Sequence, residues 1–264
     1  MKSIFIEKSL GVDIREGSVS LTLVGKKLRT MEVLAGKTIT LKPLTGKDEK
    51  AEKHFLNKVN HFLIDHDTWP ESVVVSLPRS YVTFKTFELP APDLESVRSM
   101  VEFELERQFS AGLEDLYFTF QVTPKAENIF HVASAAIKKE IANYYLELVQ
   151  KLNLKTTVLD VSTFANVNLA FSQEIENDSP IWALADISPE TLDIALIKND
   201  AIEFSRSLSW ARPAIKDANS GKISDPAQLE NLSSEIAKSI VNELQQALSS
   251  CRSIEANELV GHIF

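Results

Sequence analysis

Few side chains in this 264-residue sequence have the type and spacing to do chemistry. The best placed are two aspartates in matching surroundings, Asp13 in Leu10-Gly-Val-Asp13-Ile14 and Asp186 in Leu184-Ala-Asp186-Ile187, 173 residues apart. Each closes an apolar run of strand type, which predicts a carboxylate at a strand tip. Three histidines, His54, His61 and His66, fall in or near one helical stretch, with Asp65 four residues beyond His61. A metal on a helix needs ligands at i and i+4 and another from outside. Lys50, Lys53 and Lys58 would repel a cation there and no outside cluster is visible, so a solvated helix face is expected. Cys251 follows two serines with no histidine at a useful spacing, and no serine sits in a Gly-x-Ser-x-Gly turn. Nucleophilic catalysis is therefore not expected. Trp182 and Trp210 flank the later strands and are expected to pack in a core.

Glycine usage narrows the field further. The eight glycines stand at 11, 17, 25, 36, 46, 112, 221 and 261, well separated from one another. Loops that bring backbone amides against phosphate are rich in glycine, and the sequence holds neither a Walker A loop nor a dinucleotide-binding fingerprint. With 28 basic and 37 acidic residues, a net charge of −9 argues against nucleic acid as a partner. No window approaches the roughly 18 apolar residues of a membrane span. Glu7 and Lys8 interrupt what a secretory signal would need, and one cysteine suits a cytosolic chain.

The elements that must hold these residues are legible from periodicity. Strands are expected at Leu10–Arg15, Ser18–Val24 and Leu28–Leu34, with Gly25-Lys26 as a tight turn whose glycine takes a positive φ. A helix over Asp48–His66 and a buried strand at Ser72–Leu77 follow. Tyr81–Leu89 alternates like a strand. Asp93 then caps a helix burying Leu94, Val97, Val101 and Leu105. Leu116–Val122 and Ile129–Ala135 read as strands, and a helix starts at Lys138. Thr156–Val161 is a strand and Ser162 caps the next helix, before a polar linker at Gln173–Ser179. Three strands come next, Ile181–Ile187, Thr191–Ile197 and Ala201–Ser207, with a turn at Asn199-Asp200. A polar loop around Asn219–Gly221 leads to a long helix bearing Leu232, Ile236, Ile240, Leu244 and Leu248. The last strand is expected at Glu258–Val260.

A repeat organises this order. At the 173-residue offset Ser18/Thr191, Val19/Leu192, Leu21/Ile194, Leu23/Leu196 and Val24/Ile197 also agree in type. Residues 10–77 and 183–260 each run strand, strand, strand, helix, strand. Two βββαβ halves, each opening on an aspartate at a strand tip, resemble the actin-like, ribonuclease-H-type ATPase superfamily. The resemblance implies an α/β fold of duplicated βββαβ domains with a small inserted α+β subdomain. Residues 1–78 plus 155–175 would form domain I, 79–153 the insert, and 180–264 a truncated domain II. It also implies that the two hairpins hold nucleotide phosphates and metal, and it matches a third aspartate to Asp160 in Val158-Leu-Asp160-Val161-Ser162. Any ATP and Mg²⁺ would thus be held by Asp13, Asp160 and Asp186.

Within that superfamily, Val75-Ser76-Leu-Pro78-Arg79 through Leu89-Pro90 resembles the PilM proteins of type IV pilus assembly and the GspL cytoplasmic domain of type II secretion. So do Val101–Gln108 and Leu232–Leu248. Working ATPases of the superfamily read Asp-x-Gly at each hairpin, where backbone lies against phosphate. This sequence reads Asp13-Ile-Arg15 and Asp186-Ile-Ser188-Pro189, carries Ser20 where pilus relatives have lysine, and reduces the adenine-binding Gly-Gly to Gly261-His262. The resemblance therefore implies no cofactor and no turnover. It points to a scaffold at the cytoplasmic face of the inner membrane, linking membrane components to a motor ATPase. The partner would be the cytoplasmic tail of a PilN-like protein or the N-terminal domain of a secretion ATPase, and a homodimer is compatible. The lost glycines and the end at Phe264 point toward GspL. Glu95, Glu102, Glu104 and Glu106 read as a solvated face, or as a docking surface for a basic partner. The alternative is an ATP- and Mg²⁺-binding switch of the PilM type.

Overall fold

The computed structural model describes residues 5–44, 46, 48–108, 112–173, 179–209, 215, 217, 218, 221–251, 254 and 260–264. Contacts divide the chain into two units, residues 1–81 with 138–165, and residues 82–137 with 166–264. No helix among the described residues is long and apolar enough to cross a membrane.

The first unit is built on five strands, β1 (Glu7–Ile14), β2 (Ser18–Lys26), β3 (Met31–Thr40), β4 (Ser72–Leu77) and β8 (Thr156–Val161), in the order β3-β2-β1-β4-β8. β1 runs antiparallel to β2 and parallel to β4, and β4 is parallel to β8. Alternation sorts the two faces of this sheet. Leu10, Val12, Ile14, Val19, Leu21, Leu23, Val73, Val75 and Leu77 are buried on one side. The other side carries Ser9, Gly11, Asp13, Ser20, Thr22 and Ser76. Helix α1 (Glu49–Asp65) opens on Asp48, whose carboxylate accepts from the Lys50 and Ala51 amides at 3.0 and 3.1 Å. It buries Ala51, Phe55, Val59, Phe62 and Leu63, each large side chain contributing about 1.5–3 kcal/mol. Helix α3 (Lys139–Gln150) is tied to it through Glu52, which receives Tyr144 Oη at 3.0 Å and pairs with Lys151 Nζ at 3.2 Å.

The second unit holds two sheets. One is β5 (Val82–Pro90), β7 (Ile129–Lys138) and β6 (Leu116–Ala126), in the order β5-β7-β6. Helix α2 (Leu94–Gln108) lays Val97, Val101 and Leu105 on it, against Leu89, Leu116 and Val132. Leu94, expected in that core, is instead 44% exposed, because it opens the helix one turn short of the buried stripe. The other sheet is β11 (Ala201–Ser209), β10 (Thr191–Lys198), β9 (Ile181–Ile187) and β12 (His262–Ile263), in that order. Helix α5 (Pro226–Ser250) covers one face through Leu244 and Ala247 on Ile181, Ala183, Ile194 and Leu196. The opposite face packs Trp182, Leu184, Ala195 and Ile197 on Val167 of α4 (Ser162–Ser172). Burial on both faces explains the near-continuous apolar run Ile181–Ala185.

Two local expectations are corrected. The first hairpin turn lies at Lys27–Thr30, where the Lys27 amide donates to the Thr30 carbonyl at 2.8 Å, so the third strand starts at Met31 and not Leu28. Gly25 is inside β2, opposite Lys8 and Glu32. It is required by close approach and not by a positive φ, since a Cβ there would stand 2.4 Å from the Phe5 ring. The last strand is His262–Ile263; Glu258 and Leu259 lie outside the described residues, as do most of the Gln173–Ser179 linker and Trp210. The Asn199-Asp200 turn is as expected, both residues taking positive φ (49° and 63°).

Candidate functional site

Parallel pairing places two of the three aspartates in one row. Asp13 lies beside Ser76, and Ser76 beside Asp160. On the other flank Asp13 faces Ser20, and Ser20 faces Thr38, their hydroxyls 3.0 Å apart. The five-stranded sheet thus carries a continuous polar row, Thr38, Ser20, Asp13, Ser76, Asp160, near the C-terminal ends of its parallel strands. Ligands of open α/β sheets bind beyond such ends.

The carboxylates in the row differ in their surroundings. Asp13 Oδ2 receives Arg15 Nε at 2.9 Å, from the very position where a glycine was expected of an ATPase. Its other oxygen, Oδ1, is buried and has no hydrogen-bond partner among the described residues. Burial pushes the Asp160 carboxyl above its ordinary pKa, opposed by the Val161 N–H that donates to Oδ1 at 2.7 Å. Asp160 is thus partly desolvated at the step from β8 into α4. Ser162, which opens that helix, donates to the Leu77 carbonyl at 3.1 Å and fixes α4 against the end of β4.

Asp186 belongs to the second unit, on β9 directly opposite Asp193 of β10. The pairing repeats the first hairpin at the same offset, since Asp13 faces Ser20 and Asp186 faces the equivalent Asp193. Two carboxylates side by side across a sheet are unfavourable. Asn166 Nδ2 donates to Asp186 Oδ2 at 2.9 Å, and Ser207 Oγ donates to Asp193 Oδ1, which offsets that repulsion. Asp193 is only 4% exposed. Sequence reasoning missed it, although shifting Ser20 by 173 residues would have found it.

The turn after Asp186 spends its own amides. Ser188 Oγ accepts from Glu190 N at 3.2 Å and Thr191 N at 2.8 Å, Ser188 N donates to the Thr191 carbonyl at 2.9 Å, and Pro189 has no N–H. A phosphate-binding turn needs those donors pointing outward. The residues present here therefore do not fit a phosphate at the second hairpin, whereas the orphaned oxygen of Asp13 fits a cation or a donor at the first.

Other predicted residues fall elsewhere. Nδ1 of His61 donates to the Asn57 carbonyl at 2.6 Å and Nδ1 of His66 to that of Phe62 at 2.7 Å, so both rings turn back on α1. Trp182 packs edge-on against Phe171 and Phe264, at 5.3 and 5.4 Å. Gly261, expected near adenine, enters the sheet beside Ser179, whose Cβ a side chain would meet at 2.1 Å. Unforeseen from the sequence is a cavity of about 730 Å³ in the first unit, lined by Leu44, Gly46, Tyr81, Tyr144 and Tyr145. Tyr145 Oη donates to the Leu44 carbonyl at 2.7 Å, and burial drives its pKa far up; Tyr144 is pushed to about 12 by burial and by Glu52.

The family described as type IV pilus assembly protein PilM matches residues 11–218 of this chain. No curated protein matches it. Among solved structures the chain is similar to a PilM-PilN type IV pilus biogenesis complex, at 19% identity and a TM-score of 0.75, with 97% of this chain and 80% of that one covered. It is similar to the cytoplasmic domain of EpsL, an inner membrane component of the type II secretion system of Vibrio cholerae, at 14% identity and a TM-score of 0.50, covering 76% and 71%. A Bacteroides thetaiotaomicron protein with actin-like ATPase fold gives 10% identity and a TM-score of 0.46, covering 98% and 91%. The fold is actin-like, as the duplicated halves implied. The family match falls on the PilM side, against the leaning toward GspL drawn from the missing glycines.

Proposed function

This chain belongs to the type IV pilus assembly protein PilM family, and on that footing we propose that it is an assembly scaffold that works by binding and not by turnover. Its partner is the cytoplasmic tail of a PilN-like inner-membrane protein, which holds it at the cytoplasmic face of that membrane and links it to the motor ATPase. The similar PilM-PilN complex supports the choice of partner. The cavity bounded by Tyr81, Tyr144 and Tyr145 offers a concave aromatic surface of the size a short peptide occupies.

The observation that carries the non-catalytic reading is the second hairpin, where Ser188 takes the amides of Glu190 and Thr191, two donors that a phosphate there would need. Titration calorimetry tests both halves of the proposal. The purified chain is expected to bind a synthetic PilN-like N-terminal peptide and to give no heat with ATP, with or without Mg²⁺, up to about a millimolar, where binding is worth roughly 4 kcal/mol. Saturable Mg²⁺-dependent heat with ATP would overturn the non-catalytic half, and no heat with peptide the partner half.

One observation favours the second reading, an ATP- and Mg²⁺-dependent switch. Asp13 and Asp160 share a row with Ser76, and Asp13 keeps one buried oxygen without a partner among the described residues. That reading requires ATP binding that Asp13→Ala or Asp186→Ala abolishes.

A further inference from the structure

Four of the most exposed large apolar side chains in the described structure gather at one end of the first unit's sheet. Leu28 is 88% exposed, Met31 76%, Val33 68% and Ile6 62%. Pairing brings them together. The Lys27–Thr30 turn carries Leu28 at its tip, Met31 stands opposite Lys26, Val33 opposite Val24, and the Ile6 amide donates to the Lys26 carbonyl at 2.8 Å. Such a cluster on an acidic protein marks a contact surface.

Charge identifies what it contacts. Three of the chain's 28 basic residues fall in the four positions Lys26-Lys27-Leu28-Arg29. Glu7 faces Lys26 across the sheet, and Glu32 holds Lys27 at 2.6 Å, with Lys27 Nζ also 5.2 Å from the Phe5 ring centre. Arg29 makes no hydrogen bond or ion pair among the described residues. An exposure of 88% belongs to a side chain that protrudes, so this tip has no hollow in which to enclose a partner's side chains. A protruding apolar tip flanked by Lys26 and Arg29, on a chain of net charge −9, suits a soft anionic surface that it can enter.

We propose that the β2–β3 hairpin tip docks on the anionic headgroups of a bilayer, with Leu28 and Met31 entering the interface and Lys26 and Arg29 lying against phosphate. The contact is weak by itself and orients the first unit on the membrane independently of any partner tail. Of the acidic neighbours, Glu32 is held by Lys27, Glu7 faces Lys26, and Glu71 receives the Lys8 N–H at 2.7 Å.

Flotation of the full chain with vesicles tests this without a partner protein. Vesicles of phosphatidylcholine with about 30% phosphatidylglycerol are compared with phosphatidylcholine alone, since an anionic leaflet adds attraction for each Lys or Arg. Co-flotation with the anionic vesicles that raised salt weakens is expected. The double variant Leu28→Ser, Met31→Ser is expected to lose it by about tenfold or more, and Lys26→Glu, Arg29→Glu to lose the preference for anionic lipid. All these side chains are exposed, so an unchanged melting temperature checks that each variant is folded. No flotation of the parent chain, or variants that float as well as it does, would overturn the proposal. Retention on immobilised polyglutamate without vesicle binding would also overturn it, in favour of an acidic protein partner.

Discussion

At Asp160 burial and a hydrogen bond act in opposite directions, and burial wins, so the folded carboxyl binds its proton more tightly than the unfolded one. The folded state then takes up a proton in the window between the ordinary carboxylate pKa, about 4, and the raised value. Above that window the buried charge is a liability; as pH falls through the raised pKa the liability disappears. Asp160→Asn, which keeps an acceptor for the Val161 N–H, is expected to melt higher than the parent at pH 7 and level with it near pH 4. Thermal melts across that range check the sign. A second expectation concerns the two departures from Asp-x-Gly. Arg15→Gly removes a pair whose side chains are 25% and 29% exposed, worth about 1 kcal/mol. Ser188→Gly releases two amides at a cost of about 1–3 kcal/mol. Together they are expected to raise affinity for ATP above the parent's in the same calorimetric titration, even as the chain melts lower. Asp13, Asp160 and Asp186 could be found from spacing and resemblance because they end strands. Asp193 lay within reach of the same offset, from Ser20, but Ser76 did not, since a polar residue at an alternate strand position reads as solvent-facing until the pairing shows what it faces.

Among the elements, order and type were legible almost throughout, because the strands either alternate or run continuously apolar and each helix keeps one apolar stripe. The errors lie where a third body intervenes. Gly25 looked like a turn residue, yet the Phe5 ring lies across it, a contact with no signature in local sequence. The stripe expected at Leu232, Ile236, Ile240, Leu244 and Leu248 meets the sheet through its C-terminal part, where Ile240, Leu244, Ala247 and Leu248 pack. Two substitutions probe element junctions. Asp200→Gly, at φ 63°, is expected to stabilise the β10–β11 hairpin by about 0.5–1 kcal/mol, raising the melting temperature by a few degrees. Gly261→Val forces a side chain onto Ser179 and should displace β12 from β9, where the Phe264 amide donates to the Ala183 carbonyl at 2.9 Å. Overpacking of that kind costs about 1–3 kcal/mol, and faster amide exchange at Phe264 and Ala185 would report it.

For the molecule as a whole, the 173-residue repeat was the strongest signal in the sequence, and the family match and the actin-like fold follow the same line. What the repeat could not supply was the chemistry of each copy, which depends on turn residues that the two halves do not share. The arrangement of the first unit also bears on how the chain is made. Its strand β4 is complete at Leu77, but the neighbour that covers its outer edge, β8, begins only at Thr156. A ribosome adding 5–20 residues per second needs roughly 4–16 s to deliver the intervening stretch of about 80 residues. Throughout that interval the nascent chain presents Val73, Val74 and Val75 along an open edge able to pair with other chains. Fragments ending before Thr156 are expected to be insoluble where the full chain is soluble, and slowing translation after codon 77 should increase the demand for chaperones that shield nascent strands.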